Sequence, residues 1–165
     1  MKLTKVDQGM KKIHIAIMRK SWGLARKILS GEKTIESRWY MNRYQPWGNI
    51  NRGDVVYFKD SGEPVRIQTT VDKVIQFENL TPQKVGEILN HYAKAVGINR
   101  GNIASYLEKF KNKKYCLLVF LSHPKQIEPF EIDKSGFGAM AAWLTVDNFD
   151  KVKVSATGSN PVGIF

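Results

Sequence analysis

The first third of the chain changes from a strand pattern to a helix pattern. Isoleucine occupies every second position across 13–17, which is the period of a half-buried β-strand. Apolar residues then recur at helical spacing across 24–29. Ser21 predicts the N-cap of this helix, and Gly31 predicts its end. A strand followed by a short helix is therefore expected here.

The rest of the chain predicts mainly strands, interrupted by two helices. Thr81-Pro82 predicts the cap and first residue of a helix that continues to Gly97, and 103–111 predicts another helix. Strands are expected at 34–38, 54–59, 65–77, 114–121, 130–132 and 149–154. This order predicts an α+β fold, a small mixed β-barrel with helices packed outside.

Two segments between these elements have an unusual composition. The loop 40–52 is rich in aromatic residues and arginine, and the segment 136–144 combines small residues with Phe137 and Trp143. The second segment has two readings. It either lines a cleft, with Trp143 as a stacking platform, or it is buried and closes the barrel. The buried reading is favoured.

Charge is concentrated near the start of the chain. The net charge is +11, and the first 52 residues hold 12 Lys and Arg against 3 Asp and Glu, whereas the remainder holds 14 against 12. Such a field attracts polyanions. We expect RNA or another single-stranded nucleic acid as the partner of one domain spanning 1–165, with a basic arm at 1–12. The alternative is a solvated basic face.

Composition excludes several classes of protein. A single cysteine, Cys116, and three histidines rule out a disulfide framework and a multi-thiolate zinc site, so no metal or cofactor is expected. No stretch approaches 18 apolar residues, and the N-terminus leads into polar residues rather than an apolar signal core. A cytoplasmic protein without a membrane partner is expected.

Two motifs resemble those of a known family. The segment 31–38, GEKTIESR, resembles the Gly-x-Lys-x-x-Glu-x-Arg signature of ASCH domains, which are PUA-like β-barrels. The segment 52–59, RGDVVYFK, is similar to the Gly-Asp-x-hydrophobic barrel strand of ASCH, EVE and PUA relatives. The resemblance implies a PUA-like barrel and a cleft beside its helix that binds RNA or, in some relatives, is proposed to process nucleotides.

The first motif supplies candidate binding residues. Strand alternation places Thr34, Glu36 and Arg38 on one face, while Lys33 points the other way unless it belongs to the turn after Gly31. In a cleft, Arg38 would grip phosphate, Lys33 would supply a compact charge, and Glu36 would orient Arg38 or accept hydrogen bonds from a base or sugar. The alternative is a surface ion pair between Glu36 and Arg38.

Aromatic residues close to the motif complete the predicted nucleic-acid interface. Single-stranded bases stack on such rings, and Trp39 and Trp47 are the favoured pair. Trp22 is placed to stack on Arg26 one helical turn later. The predicted nucleic-acid-binding residues are Arg26, Lys33, Glu36, Arg38, Trp39, Arg43, Trp47 and Tyr57.

One enzymatic alternative is hydrolysis of a modified nucleoside. A branch that resembles this fold, the small bacterial acetylcytidine amidohydrolases, uses a Lys-Thr-x-Thr stretch and a downstream Glu. Lys33 and Thr34 match the first two positions, but Glu36 stands where that branch has its nucleophile. The catalytic residues of such an enzyme would be Lys33, Thr34 and Glu36, with Glu78 or Glu87 as the distal carboxylate.

A metal-independent ribonuclease is the other enzymatic alternative, since this activity is reported for some relatives. It requires an acid and a base near the ribose, for which His14, His91 and His123 are the candidates. Nothing in the sequence brings two of them together, so solvated histidines are favoured. A protein-interaction domain is the third class of function considered.

Overall fold

A computed structural model describes residues 11–138 and 140–154 of the chain. The predicted tail at 155–165 lies outside the described residues, as does nearly all of the predicted arm at 1–12. The described elements are β1 Ile13–Met18, α1 Leu24–Ser30, β2 Ile35–Tyr40, β3 Val55–Asp60, β4 Val65–Phe77, α2 Pro82–Val96, α3 Ile103–Phe110, β5 Tyr115–Phe130 and β6 Trp143–Val146. Short 3₁₀ helices occupy Lys20–Trp22, Arg100–Asn102 and Phe149–Lys151.

The strands form one mixed sheet that curls into a half-barrel. Its order is β2-β5-β4-β3-β1-β6, so β2 and β6 are the edge strands. β1 runs parallel to β3, whereas the other pairs are antiparallel. The predicted α+β class, with a mixed barrel-like sheet and helices outside it, is confirmed.

The side chains of β5 show how the sheet separates two cores. Leu117 and Val119 belong to one apolar cluster, which also contains Phe58 and the α1 residue Ile28. Cys116 and Leu118 belong to a second cluster, together with β2 and helices α2 and α3. Because neighbouring strand residues point to opposite faces, one continuous apolar strand serves both clusters. The second cluster fixes α3 beside β2, where the candidate site lies.

Several predicted boundaries need correction. Ser21 lies within the first 3₁₀ helix, and Gly23 rather than Ser21 precedes α1. β5 continues to Phe130, where two separate strands were expected. The strand predicted at 149–154 is wrong, since 149–151 is a 3₁₀ turn and only Lys153 makes an isolated bridge, to Ile132. The last strand of the described sheet is β6.

Gly97 ends α2 and packs against Lys33 in the turn that follows α1. Its φ of 93° lies in the left-handed region, as expected for a helix C-cap, and an added Cβ would lie 3.4 Å from both Leu24 Cδ2 and Lys33 Cβ. Gly97→Ala is expected to lower the free energy of unfolding by about 1–2 kcal/mol, the cost of a left-handed non-glycine residue.

Chemical denaturation measures this effect. Gly101→Ala is the matched control, because an added Cβ there meets nothing within 4 Å. We expect the Gly101 variant to unfold at the denaturant concentration of the unchanged protein. Equal midpoints for the two variants would show that Gly97 tolerates a side chain.

Candidate functional site

The ammonium group of Lys33 is enclosed by the protein. Lys33 lies in the turn between α1 and β2, and its side chain is only 1% exposed. Its Nζ donates to Ile35 O at 2.7 Å and to Val96 O at 2.8 Å, and it lies 3.1 Å from Glu36 Oε1. Three acceptors match the three hydrogens of a charged ammonium. Through these hydrogen bonds Lys33 holds the start of β2 beside the end of α2.

Glu36 lies between two cations. Its Oε2 accepts from Arg38 Nε at 2.8 Å, while Lys33 contacts Oε1. Burial alone raises the pKa of Glu36, but the charges of Lys33 and Arg38 outweigh it and hold this pKa below its ordinary value. Burial also lowers the pKa of Lys33, an effect that the Glu36 charge opposes. The result is a buried Lys–Glu–Arg triad with an ionised carboxylate at its centre.

Arg38 spans the gap between the edge strand β2 and the strands β1 and β6. Its guanidinium donates to Ile17 O at 3.4 Å and to Ala142 O at 3.3 Å, and it lies over the Trp143 ring at 5.1 Å. Most of its N–H groups thus have partners within the protein, and its side chain is 16% exposed. Arg38 lines a cleft, as predicted, while its phosphate contact stays a prediction.

A cleft of about 190 Å³ opens beside this triad. It lies between β2, the 3₁₀ helix Lys20–Trp22 and α3, and four aromatic rings line it. Trp39 stacks on Phe110, with centroids 4.9 Å apart and planes 7° apart, and Trp22 meets Tyr106 edge-on at 6.4 Å. Lys33, Glu36, Ser37 and Arg38 supply polar lining. We call this space the aromatic cleft.

Two cations flank the exposed ring of the aromatic cleft. Arg19 Cζ lies 5.2 Å and Lys109 Nζ lies 4.8 Å from the centroid of Trp22, whose side chain is 38% exposed. These contacts hold positive charge at the mouth of the cleft, and among residues 11–138 and 140–154 neither cation has a carboxylate oxygen within 4.0 Å. Aromatic surface and cationic charge therefore occur together, as they do in sites for single-stranded nucleic acids.

Four of the predicted binding residues do not join the aromatic cleft. Arg26 lines a separate hollow of about 200 Å³. Arg43, in the loop after β2, pairs with Glu78 at 2.9 Å and does not line the cleft. Trp47 packs edge-on against Tyr115. The expected pairing of Trp39 with Trp47 and the expected stacking of Trp22 on Arg26 do not occur, because different elements cover these rings.

Tyr57, the fourth of these residues, belongs to a third apolar cluster. It is 9% exposed and contacts the rings of Phe130 and Phe149, so it is a core residue. Thr34, one of the three catalytic residues of the hydrolase alternative, is exposed and does not line the aromatic cleft. Of the three predicted catalytic residues, only Lys33 and Glu36 lie together.

Sequence reasoning missed Arg19, Tyr106 and Phe110 as cleft residues and connected Trp22 with the wrong cation. The sequence contains a partial signal for the cation beside Trp22, because Arg19 and Lys20 follow the first strand and Trp22 comes two residues after Lys20. Tyr106 and Phe110 show no such signal, since their spacing on α3 is also that of ordinary core residues. Only the packing of α3 against β2 brings these rings to the motif.

His14 is buried, whereas solvated histidines were favoured. Trp143 Nε1, which can only donate, lies 3.1 Å from His14 Nδ1, so this nitrogen accepts and Nε2–H donates to Asp54 Oδ2 at 3.0 Å. Trp143 itself is 7% exposed and Leu144 is 1% exposed, so the expected burial holds for this end of the segment 136–144. It does not hold for the rest of the described segment, where Met140 is 94% exposed and the other residues are exposed or half-buried. His91 and His123 are exposed and far apart on α2 and β5. No histidine lines the aromatic cleft.

The described residues contain neither a metal-binding cluster nor a membrane-spanning helix. Within 11–138 and 140–154, no three His, Cys, Asp or Glu side chains are grouped so that they could hold a metal ion. Within the same ranges, no helix combines the length and the apolar character needed to cross a bilayer.

Comparison with solved structures supports the observed architecture. No protein-family model and no curated protein matches the sequence. The ASCH protein of Zymomonas mobilis matches with a TM-score of 0.58 at 13% identity, over 81% of this chain and 87% of that chain. A serine-to-alanine variant of that protein matches with a TM-score of 0.60 at 14% identity, over 83% and 89% of the two chains.

Identities this low are informative about architecture alone. The matches cover most of both chains, and they agree with the mixed half-barrel and its outer helices. The resemblance found in the segments 31–38 and 52–59 points to the same architecture. The described chain has an ASCH-like, PUA-type fold.

Proposed function

We propose that this protein binds single-stranded RNA by holding one base, unmodified or modified, in the aromatic cleft. The observation that supports this proposal most directly is the combination in one hollow of four aromatic rings, a polar floor and two cations at the mouth. Such a surface suits an unpaired base better than an intact duplex, because stacking requires the base to leave its own helix.

The dimensions of the aromatic cleft favour a single base. Pockets for drug-sized ligands enclose roughly 300–1,000 Å³, whereas this cleft encloses about 190 Å³. A planar ring can lie against Trp22 or Tyr106, while Trp39 is held in place by its stack on Phe110. The occupant we propose is therefore one nucleobase, with its sugar and phosphate outside the cleft.

The floor of the cleft offers hydrogen-bonding groups for a base edge. β2 is an edge strand, and Thr34 O accepts from Leu121 N of β5. Backbone groups of successive residues in an antiparallel strand face alternate edges, so the N–H and C=O of Ser37 face the free edge. Ile35 O faces the same edge, where it accepts from Lys33 Nζ. The backbone of Ser37 and the carboxylate of Glu36 are the groups we propose for reading the base.

The positive mouth of the cleft leads to a prediction for Arg19. Affinity for single strands falls with salt by a logarithmic slope of roughly 0.7 per phosphate contact. Arg19→Ala is expected to weaken the binding of a short single-stranded RNA and to reduce this slope by about 0.7. Fluorescence anisotropy at a series of salt concentrations measures both quantities.

Arg26→Ala is the matched control for this measurement. It removes the same exposed charge from the same part of the chain, but Arg26 lines a different hollow. We expect its salt slope to equal that of the unchanged protein. The proposed function is wrong if the unchanged protein binds neither single-stranded RNA nor free nucleosides at low salt. The role of Arg19 is wrong if both variants behave alike.

A further inference from the structure

A second hollow lies next to the aromatic cleft. It encloses about 420 Å³ and is lined by the turn after α1, the C-terminal end of α2 and the residues that follow it. Ile98 lines both this hollow and the aromatic cleft, so the two spaces are neighbours that share one wall residue. The polar side chains of the hollow are Lys27, Glu32, Asn90, His91, Lys94, Asn99 and Arg100. We call it the basic hollow.

Cations outnumber carboxylates in the basic hollow. Lys27, Lys94 and Arg100 face one acidic residue, Glu32. Within the described part of the chain, none of the three cations has a carboxylate oxygen within 4.0 Å. In contrast, Arg43 in the loop after β2 is paired with Glu78. The described residues therefore leave the positive charge of this hollow without a paired carboxylate.

The C-terminal end of α2 compensates the charge of one of the three cations, Lys27. A helix C-terminus carries roughly half a negative charge, and Lys27 Nζ donates to Gly97 O at 3.1 Å. Lys27 thus has a structural role at the helix end. The exposed residues Lys94 and Arg100 have no such hydrogen bond among the described residues, so two cations remain for an external anion.

We infer that the basic hollow binds the sugar–phosphate backbone of the strand whose base occupies the aromatic cleft. This inference rests on the proposed function, and it adds the direction of the strand, from the cleft past Ile98 to the end of α2. Lys94 and Arg100 contact phosphate oxygens, and the amides of Asn90 and Asn99 are placed for ribose hydroxyls.

A double variant, Lys94→Ala with Arg100→Ala, tests the inference. Loss of two phosphate contacts is expected to reduce the salt slope for a short single-stranded RNA by about 1.4, since each contact contributes roughly 0.7. The control is Lys125→Ala with Arg52→Ala, which removes the same two charge types from exposed positions that line neither space. Its slope is expected to stay unchanged.

A phosphate-free ligand separates this inference from the proposed function. Binding of the four free nucleosides, measured by tryptophan fluorescence, reports on the aromatic cleft alone, and both double variants are expected to leave it unchanged. If nucleosides bind but the two double variants change the RNA slope equally or not at all, the basic hollow is not the backbone site. If the unchanged protein binds neither nucleosides nor RNA, the proposed function itself fails.

Discussion

Replacing Lys33 with alanine is expected to lower the free energy of unfolding by about 3–5 kcal/mol, the usual cost of removing one partner from a buried ion pair. The ammonium binds Ile35 O and Val96 O and lies 3.1 Å from Glu36 Oε1, and all of these groups are enclosed. Without it, two carbonyl oxygens lose their donor, and Arg38 alone compensates the Glu36 charge. Denaturant unfolding followed by circular dichroism measures the change.

Further variants separate the effect of the buried charge from general sensitivity to substitution. Lys111→Ala breaks an exposed pair with Glu108 and is expected to change stability little. Lys33→Met keeps an unbranched apolar chain, so combining it with Glu36→Gln should cost less than the sum of the two single changes. An unfolding midpoint for Lys33→Ala equal to that of Lys111→Ala would contradict the structural role of the triad.

Local signals allowed some elements to be predicted closely. The helix from Pro82 to Gly97 was predicted with its cap and its end, because Thr81 Oγ1 accepts from Lys84 N at 3.2 Å and Gly97 adopts the left-handed conformation. The strand Val65–Phe77 was predicted at its observed bounds from alternation alone. In both cases the information lies within a few residues of the boundary.

The features that the sequence did not predict depend on tertiary packing. β6 is short, and only its pairing with β1 identifies it as a strand. His14 follows the alternation predicted for β1, but β1 lies between β3 and β6 and both of its faces are covered. A pattern of alternating residues predicts which side chains share a face, yet it does not show whether the sheet curls around that face.

The motif residues of the candidate site were predicted from the sequence, but the residues that surround them were not. Lys33, Glu36 and Arg38 are close in sequence, so their association was accessible to strand geometry. Their environment depends on residues far along the chain, namely Val96 on α2 and Phe110 on α3. Those contacts bury the triad and make it one wall of the aromatic cleft.

The aromatic cleft has one ring that can be removed without damage to the core. Trp22 is 38% exposed and contacts Tyr106 edge-on, whereas Trp39 is stacked on Phe110 within the second apolar cluster. Base–aromatic stacking contributes roughly 1–3 kcal/mol per base. Trp22→Ala is therefore expected to raise the dissociation constant for single-stranded RNA by about 5- to 150-fold, with little change in stability.

Several measurements on the same variant show whether stacking is the cause. Trp22→Phe keeps an aromatic face and should recover most of the affinity. Tyr44→Ala removes a ring that is 60% exposed outside the cleft and should leave affinity unchanged. Because Trp22→Ala removes no charge, affinity should fall by a similar factor at every salt concentration, whereas Arg19→Ala changes the slope. If Trp22→Ala binds RNA as tightly as the unchanged protein, the base does not stack on this ring.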